Sequence, residues 1–145
     1  MTLRQSAGRD PAFVAALLDW NGAWFVARLL LVSAYLLGGV VKLTDFPSAI
    51  AEQVHFGVHP PVLWAAVTIA VELIGSALIL SGRWVWLGAG MLGVFTVAAA
   101  VVASPFWALQ GQERFMATNA FFEHLGLTCG FIATALVARA RQAHG

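Results

Sequence analysis

The run from residue 24 to residue 42, WFVARLLLVSAYLLGGVVK, constrains this chain most: it is long enough to cross a bilayer, yet it holds Arg28 inside and ends on Lys42. An α-helix rises ~1.5 Å per residue, so the run covers about 28 Å against a hydrocarbon core of ~30 Å. A charge in such a segment is costly in lipid and turns toward protein or water. Something elsewhere in the chain must therefore answer Arg28. With 10% charged residues, against ~25% in an average soluble domain, and a mean hydropathy of +0.81, the whole chain has a membrane composition.

A length of 145 residues allows one membrane domain, residues 1–145, and no separate soluble module. The net charge of +1 and the lack of any basic run argue against nucleic acid as a partner. A single cysteine, Cys129, rules out an intrachain disulfide and self-contained dithiol exchange. The N-terminus lacks the short apolar core and cleavage site of a signal peptide, so the first apolar segment is read as a retained membrane helix.

Hydropathy and breakers divide the chain into four spans, at about 24–41, 61–80, 84–103 and 119–138, and predict an all-α transmembrane four-helix bundle. Residues 1–23 read as a tail and an interfacial helix, with Asp10 as N-cap, Pro11 at the first helical position, and Phe13, Leu17, Trp20 and Trp24 on one face. A helical extension of the first span fits the same residues. Residues 43–60 are too polar to cross. Pro47 opens a short amphipathic helix there, with Phe46, Ile50 and Val54 on one side, and Gly57 and Pro60-Pro61 end it. Ser81-Gly82-Arg83 is a tight turn, and residues 104–118 form the second connection, broken by Pro105 and Gly111. Four spans place both termini with the 81–83 turn. That side carries Arg4, Arg9, Arg83, Arg139 and Arg141 against Lys42 and Arg114 opposite, which predicts cytoplasmic termini and two outward-facing amphipathic connections in a bacterial inner membrane.

Membrane helices associate through small residues and buried polar groups, and each span offers one such stripe. These are Arg28, Tyr35, Gly39 and Lys42; Thr68, Glu72 and Ser76; Ala89, Gly93, Thr96 and Ala100; and Asn119, Glu123, Gly126, Gly130 and Thr134. Counting from the inner boundary puts Arg28 about 6 Å in, Glu72 about 13 Å and Tyr35 about 16 Å. Side chains lean toward their own helix N-terminus, so Arg28 and Glu72 lean apart and Glu72 matches Tyr35 better. The expectation is a buried polar network of Arg28, Tyr35 and Glu72. Glu72 either marks a proton or ligand site or serves as a structural partner that sets helix register.

A second cluster at the outer face comprises Lys42, Asp45, His55, Trp107, Glu123 and His124, with a Lys42–Glu123 pair geometrically possible. It fits a quinone headgroup or another amphiphile, and it equally fits an ordinary interfacial layer of charges and aromatics. His55 and His59 have a helical metal-ligand spacing, but Gly57 and Pro60 interrupt it, so no metal site is expected. No pair of histidines inside facing spans offers haem ligation, and no phosphate loop, nucleophile elbow or metalloprotease motif is present. With no self-contained catalytic or metal motif found, the sequence leaves open whether the chain is an enzyme, and a subunit of a quinone-linked oxidoreductase is one reading.

The order of short motifs resembles the DoxX family of small membrane proteins. It runs from Arg28 through Gly38 and Lys42-Leu43 to Phe46, then Gly57-Val58 with the following prolines, Glu72-Leu73-Ile74-Gly75 and Leu80-Ser81-Gly82. It closes on Pro105-Phe106-Trp107 and the 119–130 segment, departing where the family often has His in place of Ser104 and a basic residue near Glu123. The resemblance implies a four-span inner-membrane protein, linked in some relatives to quinone-dependent oxidation of sulfur compounds and in others to redox or stress-defence enzymes. Assembly chaperones belong to the wider superfamily. Two readings follow. One is a redox-associated membrane subunit that holds a quinone or similar lipophile near the outer face, with no intrinsic cofactor and electrons from an enzyme partner. The other is a non-enzymatic scaffold or assembly factor, alone or as a homo-oligomer.

Overall fold

The computed structural model describes residues 10–143, which leaves Arg4 and Arg9 outside. Among the described residues a short helix α1 (Ala12–Leu18) precedes α2 (Ala23–Thr44), α3 (Phe46–His55), α4 (Pro61–Ser81), α5 (Val85–Ala103) and α6 (Gly111–Ala143), with a 3₁₀ turn at Phe106–Ala108. Four of these helices (α2, α4, α5 and α6) are long and apolar enough to cross a membrane. Their outer surface is rich in exposed Leu, Val, Ile, Phe and Trp. In water such a surface would drive aggregation; against lipid it costs nothing.

The helix ends follow local chemistry. Pro11, not Asp10, occupies the cap position of α1 and accepts from the Val14 and Ala15 amides. The Asn21-Gly22 turn separates α1 from α2, so Trp20 and Trp24 do not continue the face of Phe13 and Leu17. Asp45 caps α3, with Oδ1 accepting from the Ser48 amide at 3.2 Å and Oδ2 from the Ser48 hydroxyl at 2.7 Å. At the tight turn, Gly82 adopts φ 74 and closes α4, as a left-handed C-terminal residue does at low steric cost. The fourth helix starts at Gly111 rather than near residue 119, so the second connection is only Ser104–Gln110 with its 3₁₀ turn, and no separate amphipathic segment forms there.

The helices pack in chain order around a ring: α2 on α4, α4 on α5 and α5 on α6, with α3 lying against α4. The ring closes more loosely where α6 meets α2, through the Tyr35 and Phe131 rings (centroids 5.4 Å apart), Gly130 against Leu31, and Arg141 stacked 5.9 Å over Trp24. The core comprises Val32, Tyr35, Ile79, Val85, Ala89, Leu92, Phe131 and Ala138. Small residues set the closest crossings, since a Cβ on Gly88 would lie 2.6 Å from the Gly75 carbonyl oxygen.

The expected stripes of α2, α4 and α5 all face inward: Arg28, Tyr35, Gly39, Thr68, Glu72, Ser76, Ala89, Gly93, Thr96 and Ala100 are buried, and Lys42 is half-buried. The stripe of α6 does so only in its C-terminal half: Asn119, Glu123 and Gly126 are exposed, whereas Gly130 is half-buried against Leu31 and Thr134 is buried with Phe131 and Ala138. Within its membrane window α6 is 11% buried, against 39% for α4 and for α5, so one neighbour supplies most of its contacts and small residues alone do not decide its facing.

Candidate functional site

The three polar groups expected to meet in one network are satisfied separately. Arg28 donates from Nη1 to the carbonyls of Ile79 (2.7 Å) and Leu80 (3.3 Å), and from Nε to Trp24 O at 3.2 Å, with its guanidinium 5.0 Å over the Trp24 ring. It therefore caps the C-terminus of α4, where unpaired carbonyls and the negative end of the helix dipole coincide. Tyr35 meets Thr96 at 2.6 Å. The Thr96 hydroxyl already donates to Leu92 O, so the Tyr35 hydroxyl is the donor. Glu72 has neither as a partner; it pairs with Lys42.

That pair is the chemical centre of the molecule. Lys42 Nζ lies 3.3 and 3.4 Å from the two Glu72 oxygens and 3.8 Å from Glu52 Oε2. The Glu72 side chain is 7% exposed, Lys42 17% and Glu52 44%, so the three run from the bundle interior to its surface. The register explains the pairing. A Cβ on Gly39 would touch Leu73 and Glu72, so Glu72 sits level with Gly39, about one turn beyond Tyr35 and nearer the Lys42 end than the count from the boundary placed it. From there, Lys42 on α2 and Glu72 on antiparallel α4 each lean toward their own N-terminus and converge.

A cavity of about 370 Å³ lies beside the trio, lined on α2 by Ala34, Leu37, Gly38, Val41 and Lys42, by the α3 cap Asp45, and on α3 by Ser48, Ala49 and Glu52. Gly38 forms the wall next to the ion pair, because a Cβ there would stand 3.4 Å from both Lys42 Nζ and Glu72 Oε2. Leu37 and Val41, both more than half exposed, open the cavity toward lipid. Ser48 holds the Asp45 carboxyl below the usual aspartate range, first through its hydroxyl and then through its amide.

The other expected outer-face residues do not join this cavity. His55 is exposed and stands edge-on to its neighbour Phe56. Trp107 belongs to an aromatic cluster with Phe106 and Phe121. His124 bonds through Nδ1 to Ala120 O at 2.6 Å, within its own helix. Glu123 is exposed and has no ion pair or hydrogen bond among the described residues, so the anticipated Lys42–Glu123 pair does not form; Glu72 and Glu52 take its place. Among the described residues no three His, Cys, Asp or Glu side chains converge as metal ligands. Glu52 was missed because the hydrophobic reading of α3 used Phe46, Ile50 and Val54. Its buried face is Ala49 and Gln53, and Glu52 lies beside that face, across from Lys42.

Four apolar helices long enough to span, with buried ionic and hydroxyl groups inside and bare hydrocarbon outside, define an integral membrane helical bundle. The DoxX family model matches residues 23–105, more than half of the chain, and the chain belongs to the DoxX family. The match includes Lys42, Glu52 and Glu72 and stops before α6. No curated protein and no solved structure matches the chain.

Proposed function

We propose that this DoxX-family protein is a redox-associated membrane subunit that holds a quinone or a similar lipophile in the α2–α3 cavity, on the outward-facing side of a bacterial inner membrane with both termini cytoplasmic. The observation that carries the proposal is the Lys42–Glu72–Glu52 trio beside a cavity that opens through Leu37 and Val41 toward lipid. A volume of about 370 Å³ falls within the ~300–1,000 Å³ of small-molecule sites. The donor set fits the head of such a molecule: Lys42 Nζ can donate to a carbonyl oxygen, and apolar α2 side chains can take the start of an isoprenoid tail. A bound quinone supplies the two-electron chemistry, and the electrons come from an enzyme partner. The chain's own residues bind, orient and move protons. With both carboxylates ionised the trio carries a net charge of −1 and accepts one proton to become neutral, and Glu52 connects it to the surface.

The test is native mass spectrometry of the full chain extracted without stripping lipid. A bound quinone that is lost in Gly38→Leu, which fills the cavity, and weakened in the exposed variant Glu52→Gln supports the reading. Quinone retained at wild-type level in both variants, or none bound at all, rejects it.

One observation favours the second reading, a scaffold for a partner protein. Asn119, Glu123 and Gly126 face outward on α6, and no side chain lies within 4 Å of where a Gly126 Cβ would be. An unpaired carboxylate and a small residue on a lipid-facing helix suit a second transmembrane helix. A stoichiometric protein partner lost on Glu123→Leu, with no small ligand bound, selects this reading.

A further inference from the structure

A second concavity lies on the opposite pair of helices. Between α5 and α6 a groove of about 1030 Å³ opens outward, with a floor that includes Ala89, Gly93 and Phe131. One end carries Arg139 and Gln142 beside the exposed Trp86; the rest is apolar down to Ala98 and Thr128. From Trp86 to Ala98 the groove extends about 18 Å, close to the ~15 Å thickness of one leaflet's hydrocarbon. Its charged end coincides with the end of the bundle that bears Arg83 and Arg141, where the helices reach the membrane surface.

We infer that this groove is a binding site for one anionic phospholipid, its acyl chains along Gly90, Gly93 and Ala98 and its phosphate on Arg139. Three properties of the groove match that occupant: apolar length of one leaflet, a cation at the headgroup end, and no charge along the body. Arg139 forms no ion pair or hydrogen bond among the described residues, so its charge is available to a phosphate. Basic pockets between transmembrane helices hold acidic headgroups by this combination of forces. A second copy of the chain fits less well. A two-fold axis along the membrane normal would oppose one concave face to another at the same depth and set Arg139 against its symmetry mate.

The site is tested on the full chain in detergent by native mass spectrometry with phosphatidylglycerol and phosphatidylcholine as probes. Phosphatidylglycerol should be held about fivefold more tightly, the contribution of one basic residue facing an acidic headgroup. Arg139→Gln should bring the two lipids to the same level. Gly90→Leu should lower binding of both without unfolding the bundle, since nothing lies within 4 Å of a Cβ at that position. Equal binding of the two lipids by the wild type, or retention unchanged in both variants, overturns the inference. A dimer that Gly90→Leu converts to monomer with lipid binding unaltered also overturns it and assigns the groove to a second copy.

Discussion

A charged residue in a membrane span need not be answered by an opposite charge. Arg28 invites a search for an acid, and Glu72 is the obvious candidate, yet the guanidinium is satisfied by the Ile79 and Leu80 carbonyls. Helix C-termini present unpaired acceptors whatever their side chains, so no residue type in the sequence marks that partner. Glu72 is then left for Lys42. Both groups are largely buried, so removing Lys42 leaves Glu72 uncompensated, whereas removing Glu72 leaves Lys42 with Glu52 at 3.8 Å. Lys42→Met is expected to destabilise the protein by about 3–5 kcal/mol and Glu72→Leu by less, because Lys42 keeps Glu52, with most of the larger loss recovered in the double variant, as read from thermal unfolding in detergent. Additive losses in the double would show that the two side chains do not act as a pair.

The elements differ in how firmly neighbours hold them. Helix α3 owes its start to Asp45, which caps it through Ser48. Because those hydrogen bonds hold the folded-state pKa of Asp45 below its ordinary value, the cap's contribution is complete above the ordinary aspartate range and is lost as pH falls through the depressed value. Hydrogen-exchange protection of the first turn of α3, corrected for intrinsic rates, should therefore fall on acidification. Asp45→Asn should keep some capping and lose that pH dependence. Since α3 forms one wall of the Lys42 cavity, the same acidification should loosen the candidate site. The other extreme is α6, whose expected stripe of Asn119, Glu123, Gly126, Gly130 and Thr134 turns inward only at its C-terminal end. A glycine stripe permits close approach without requiring it, and the bulk of Phe131 against Tyr35 decided the rotation instead.

At the scale of the whole molecule, two concavities lie on different helix pairs: a smaller one on α2 and α3, bordered by Lys42, Asp45 and Glu52, and a larger one on α5 and α6 with Arg139 at one end. The proposed orientation puts them toward opposite membrane surfaces. In a Cys129→Ala background, Ser81→Cys should be shielded from a membrane-impermeant thiol reagent added to whole cells, and Gln112→Cys should be labelled. The reverse pattern would invert the topology and place the Lys42 cavity on the cytoplasmic side. The sequence by itself determined the class of protein, the number of spans and the inward faces of α2, α4 and α5, because length, hydropathy and the scarcity of polar residues leave few ways to bury Arg28, Glu72 and Thr96. Tertiary structure alone decided which polar group meets which. Pairing depends on the axial register of antiparallel helices, and an offset of about one turn, set by contacts such as Gly39 on Leu73, moves Glu72 from the level of Tyr35 to the reach of Lys42. The opening run of apolar sequence thus carries two cations with different answers: a helix end for Arg28, and a pair of carboxylates beside a cavity for Lys42.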